Sequence, residues 1–135
     1  MKSELSGKNP YHVDKNRYYE LKYFCLQYPT WKKIYNDLAF MPTIGYGERI
    51  EDGQLYFRDD TAKHALRLKK YSEKIKLVEA AATEADEELS RYILKGVTEN
   101  RSYDVMNAND PIPCSRDTYY DRYRRFFFIL DKFKD

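Results

Sequence analysis

The side chains in this chain best suited to chemistry are hydrogen-bond donors gathered near its C-terminal end: Ser115, Arg116, Thr118, Tyr120, Arg122, Arg124 and Arg125. Ser115 followed by Arg-Asp-Thr has the pattern of a helix N-cap with an acid in the first turn. What these residues can do is recognise a polyanion. Arg116 can present its guanidinium fork to guanine, and Thr118 or Tyr120 can meet a thymine methyl or a phosphate. Ser115 and the free amides of the first turn suit a backbone phosphate. Arg122, Arg124 and Arg125 lie further along, where phosphate contact is expected rather than base reading.

Nothing else in the chain assembles into a reaction centre. His12 and His64 are isolated, the serines have no base nearby, and the acids between Glu84 and Glu88 follow one another without converging. No glycine-rich phosphate loop occurs. Cys25 and Cys114 lie far apart in zinc-incompatible spacing, so a buried Cys25 and a turn Cys114 are expected, without a disulfide. The chain is therefore expected to be no enzyme, and to take neither cofactor nor metal.

The elements that must position the donors follow from hydrophobic periodicity. Tyr119, Tyr123, Phe126, Phe127, Leu130 and Phe133 repeat at helical spacing and give the Ser115 helix one broad apolar face. Arg116 and Tyr120 flank that face. A shorter helix starts from Ser102, with Asp104 early enough to favour the helix dipole, and stops at Asn109-Asp110-Pro111. Ile112, between Pro111 and Pro113, is expected to plug the turn into the core. Gly96 fits the C-cap of a preceding helix that runs from about Ala85 to Lys95, after a break near Thr83.

Upstream, Leu68, Tyr71, Ile75, Val78, Ala82, Ala85, Leu89 and Tyr92 alternate in steps of three and four. This seam at 68–92 either packs within one chain, the favoured reading, or joins two copies in a homodimer. Lys63, Arg67, Lys69, Lys70, Lys74 and Lys76 cover much of the remaining surface, a solvated face with phosphate contact as the alternative. Trp31, Ile34, Tyr35 and Leu38 form a further narrow apolar face, with Trp31 as core anchor. Before them Tyr19, Tyr23 and Leu26 read as one helical stripe, and Pro29 either interrupts that helix or opens the next. Residues 39–60 lose the pattern; Asp52-Gly53 closes a small hairpin there or belongs to a mobile loop.

Composition agrees with an all-α fold: N-terminal helices packed on a long central helix, followed by a C-terminal helix-turn-helix. At 42% hydrophobic and 16% aromatic residues the chain can build a core. Charges interrupt every apolar stretch well short of the roughly 18 residues that cross a bilayer, so no membrane partner and a cytoplasmic location are expected. A net charge of +2 neither requires nor forbids nucleic acid, because a reader of DNA needs a local positive face. The expected organisation is a flexible arm at 1–13, a helical region at 14–83 with a variable loop at 39–60, and a DNA-binding module at 84–135.

From Arg91 onward, "RYILKGVTENRSYDVMNANDPIPCSRDTYYDRYRRFFFIL" resembles the helix-turn-helix of sigma-factor region four. The shared features are an aromatic before a glycine, Ser-Tyr opening the first helix and Ser-x-x-Thr opening the second. The order of parts, "FCLQYPTWKKIYNDL", the 39–60 loop, "ALRLKKYSEKIKLVEAAATEAD" and then this module, resembles phage regulators of the RinA/ArpU group. That resemblance implies a small phage or prophage regulator of late genes, with double-stranded DNA as partner and RNA polymerase as a further one. The turn carrying Pro111 and Pro113 departs from the pattern by being longer than the usual tight turn. Two other functions fit the same elements: a DNA-packaging adaptor of the small-terminase kind, and a phage protein that binds a host protein.

Overall fold

The computed structural model describes residues 9–40, 48–51, 54–57 and 59–135. Its elements in order are α1 (Lys15–Leu26), α2 (Tyr28–Phe40), β1 (Glu48–Glu51), β2 (Gln54–Phe57), α3 (Asp59–Ala85), α4 (Ser90–Glu99), α5 (Tyr103–Asn109) and α6 (Arg116–Phe133). The fold is all-α apart from one short hairpin. Pro29 opens α2, since its missing amide would lack a partner in a first turn anyway. β1 and β2 pair antiparallel with Ile50 opposite Leu55 and Glu51 opposite Gln54, a register that a two-residue connection closes. Asp52 and Gly53 themselves, like residues 1–8 of the expected arm, lie outside the described residues.

Two compact units divide the chain. One comprises Met1–Pro29 with Lys76–Asp135, the other Thr30–Ile75. In the first unit α1 packs principally on α4 and α6, and α4, α5 and α6 pack on one another. The expected stripe of α1 is corrected accordingly. Tyr18, Leu21 and Cys25 face inward, whereas Tyr19 and Tyr23 are 37% and 61% exposed. The reason lies in the rings of α6. Tyr18 meets Phe127 edge-on at 5.1 Å, and Phe127 meets Tyr123 and Phe126 at 5.1 and 5.0 Å, a geometry that ring quadrupoles favour. Arg17 pins the far end of α6, donating to Asp131 Oδ1 at 2.6 Å and to the Lys134 carbonyl at 2.7 Å. Within residues 9–13 of the expected arm, Val13 is buried and the Tyr11 ring lies 5.8 Å from that of Phe128.

The seam does not run along one helix. α3 ends at Ala85 and α4 begins at Ser90, because Asp86 Oδ1 accepts the Leu89 amide at 3.1 Å and turns the chain. Of the seam residues, Ile75, Val78, Ala82, Ala85, Leu89 and Tyr92 are buried and Leu68 and Tyr71 half-buried. Gly96 is likewise not a C-cap. α4 continues to Glu99 and is closed by Asn100, whose φ of 54° places it in the left-handed region. Gly96 sits inside the helix because a Cβ there would collide with the Tyr119 hydroxyl and lie 3.2 Å from Met106 Cε. The glycine lets α4 approach α6 closely.

In the second unit Trp31 and Leu38 are buried, as a core anchor and its helical neighbour should be. Lys74 Nζ lies 5.5 Å from the Trp31 ring and 5.7 Å from that of Tyr71, so its stem and charge both rest on aromatic surface.

Candidate nucleic-acid interface

α5 and α6 are both capped as their sequences require. Ser102 Oγ accepts the Val105 amide at 3.3 Å, and Ser115 Oγ accepts the Thr118 amide at 3.2 Å. Asp104 and Asp117 stand in the first turns, where the positive end of each helix favours an acid. The proline-bearing connection between them is tied at several points. Asn107 Oδ1 accepts the Ile112 amide at 2.9 Å, the Tyr103 hydroxyl donates to the Cys114 carbonyl at 2.6 Å, and the Cys114 amide donates to the Ile112 carbonyl at 2.8 Å. Ile112 is buried between the prolines as expected. Arg91 adds an ion pair to Asp110 at 3.1 Å. A connection longer than a tight turn is thereby held in one geometry.

The named donors separate into three groups. Ser115, Arg116 and Thr118 are exposed at the start of α6. Ser115 Oγ also donates to Thr118 Oγ1 at 3.0 Å, which leaves the Thr118 hydroxyl its own proton to give outward. The Arg116 and Asp117 amides have no intrahelical acceptor at the first turn. Arg116 is 60% exposed; its guanidinium lies 5.8 Å from the Tyr120 ring and 3.7 Å from Asp104 Oδ2. Asp104 is a partner that inspection of α6 alone could not find. Its signal was its own position, two residues into the helix that precedes the turn.

Tyr120, expected to meet a thymine methyl or a phosphate, is packed into the core. It is buried, and its hydroxyl accepts the Tyr103 amide at 3.1 Å, satisfying a free donor at the start of α5. Its ring meets Tyr119 edge-on at 5.0 Å. In place of a nucleic-acid contact it joins the two helices.

Arg122 and Arg124 are committed internally as well. Arg122 Nε donates to Asp86 Oδ2 at 3.1 Å and its Nη1 to Asp121 Oδ2 at 2.7 Å, binding α6 to the α3–α4 corner. The Arg124 side chain is largely covered and lies 3.9 Å from Asp121. Both were expected to reach phosphate; both instead serve the packing of α6. Arg125, by contrast, faces a groove of about 430 Å³, which it lines with Tyr11, Glu84, Phe128, Ile129 and Lys132.

The electrostatics of the module are nearly balanced. Between Ser102 and Arg125, four arginines (116, 122, 124 and 125) stand with four aspartates (104, 110, 117 and 121). Neither cysteine is a nucleophile in waiting: burial pushes the Cys25 thiol far up, and burial aided by Asp86 raises that of Cys114. Among the described residues no three His, Cys, Asp or Glu side chains converge to hold a metal ion, and no helix is long and apolar enough to cross a membrane. The chain matches no protein-family description, no curated protein and no solved structure.

Proposed function

We propose that the chain is a sequence-specific binder of double-stranded DNA that uses α5 and α6 as a helix-turn-helix, acting as a transcription regulator of the phage or prophage type. The observation that carries this reading is the exposed, capped start of α6, presented beside α5 by a hydrogen-bonded turn. A helix entering the major groove reads bases with the residues of its first two turns. Arg116 is then the base reader, and Thr118 with the first-turn amides holds a phosphate. Asp104, 3.7 Å from the Arg116 guanidinium, stands close enough to bias where the fork points. RNA polymerase is the further partner that the resemblance to region four suggests, and the cytoplasm is where such a regulator works.

The test is a gel-shift titration of the full chain across genomic fragments at moderate salt. One fragment should bind in preference to the rest. Arg116→Ala should weaken that binding by about 1–3 kcal/mol and relax the choice among fragments. Equal affinity for every fragment would defeat the reading.

One observation favours a second reading. The balanced charge of the module, with Asp104 beside Arg116, Asp121 beside Arg122 and Arg124, and Val105 exposed on α5, also suits a protein partner. A protein-binding module would prefer no genomic fragment in the same titration, which separates the two.

A further inference from the structure

The strongest concentration of cations lies outside the α5–α6 module, on α3. Lys63, Arg67, Lys69 and Lys70 are exposed there, and the only acid from Thr61 to Ile75 is Glu73. Glu73 lies 3.9 Å from Lys69, and Lys74 is occupied over Trp31 and Tyr71. That leaves Lys63, Arg67 and Lys70, spaced by four and three residues and so on one face, with no carboxylate partner among the described residues.

The opposite side of the same stretch is already used. Leu68 and Tyr71 are half-buried and Ile75 is buried, which leaves Leu66, 66% exposed, as the one large apolar side chain among the cations. A membrane-surface helix needs its apolar face free to insert, so this stretch does not fit a bilayer. A binder of single strands needs exposed aromatic rings for bases to stack on, and the one tyrosine of this stretch, Tyr71, lies under Lys74. What the surface offers is a row of exposed positive charges.

We infer that Lys63, Arg67 and Lys70 form a docking surface for the backbone phosphates of duplex DNA. Seven residues of helix span about 10 Å, a length over which one strand of a duplex presents about three phosphates. The inference rests on the proposed DNA-binding function and deepens it. The charge-balanced α5–α6 module supplies little attraction that is independent of sequence, and α3 supplies it.

The full chain with Lys63→Gln, Arg67→Gln and Lys70→Gln together tests this, by fluorescence anisotropy on a random-sequence duplex over a salt series. An unchanged melting curve establishes that the triple variant is folded. The slope of log affinity against log salt should become shallower by roughly 2–3, about 0.9 for each phosphate no longer neutralised. Preference among genomic fragments should survive. An unchanged slope overturns the inference, even if a preferred fragment exists. Binding of the parent chain to anionic vesicles that the triple variant loses, with duplex binding untouched, overturns it too. A changed slope without any preferred fragment upholds this surface and defeats the reading of α6 alone. No duplex binding at all defeats both.

Discussion

α6 and the first half of α3 both carry rows of basic side chains, yet they hold them in opposite ways. On α6, Arg122 and Arg124 lie against Asp86 and Asp121, and Arg116 reaches Asp104. On α3, Lys63, Arg67 and Lys70 extend into solvent, with no acid paired to them among the described residues. A side chain fixed by partners keeps its geometry and gives up much of its field, whereas a bare one keeps its field and gives up its geometry. Arg122 and Arg124 are so held for packing, and on the proposed reading Arg116 alone is offered to a base edge. Bare cations suit a polyanion met anywhere along its length.

The contrast between the two helices breaks most visibly at the packing that supports α6. Gly96→Val should cost stability at the upper end of about 1–3 kcal/mol, because the new side chain meets the buried Tyr119 hydroxyl and the Arg101 carbonyl, 3.4 Å from a Cβ, is backbone and cannot yield freely. Urea denaturation followed by circular dichroism measures this; a neutral substitution would mean that α4 and α6 do not approach as closely. Arg122→Ala comes next, at about 1–2 kcal/mol, between an exposed ion pair and a hydrogen bond to a charged group. Its loss should appear in stability while the affinity of the folded variant for random duplex stays near that of the parent. A large drop in that affinity would return Arg122 to the interface.

Ser115→Ala should cost about 1 kcal/mol through the missing cap of α6. Thermal unfolding measures that cost. The same variant should also weaken preferred-fragment binding, since the cap orders the turn that carries Arg116. The smallest effect belongs to α3. Removing the three exposed cations should leave stability within about 0.5 kcal/mol of the parent, as substitutions far from any packed or paired group do. A marked change there would show that these side chains have structural partners after all, and the contrast with α6 would collapse.

Much of the molecule was legible along the chain. Ser102 and Ser115 announce two helices because a serine before an apolar-periodic run satisfies a free first-turn amide. Trp31 and Ile112 are buried as their surroundings require. The departures share a cause. Tyr19 and Tyr23 have the same local spacing as Tyr18, Leu21 and Cys25, and only contact with the rings of α6 decides which stripe turns inward. Gly96 looks like a helix stop until Tyr119, far along the chain, takes the space of its Cβ. Tyr120 looks like a flank of α6 until the free amide of Tyr103 claims its hydroxyl.

By itself the sequence determined the helical class, the two serine caps, the proline-bearing turn and the run of cations from Lys63 to Lys74. Each of these rests on interactions within a few residues, or on composition that no fold can alter. Tertiary structure alone decided which of the basic side chains are available. Asp86 binds Arg122 across 36 positions and Asp104 meets Arg116 across a turn, while no described carboxylate comes to Lys63, Arg67 or Lys70. Ion pairs form between side chains that folding brings together, so which arginines of α6 are held by acids could not be read from the order of the residues.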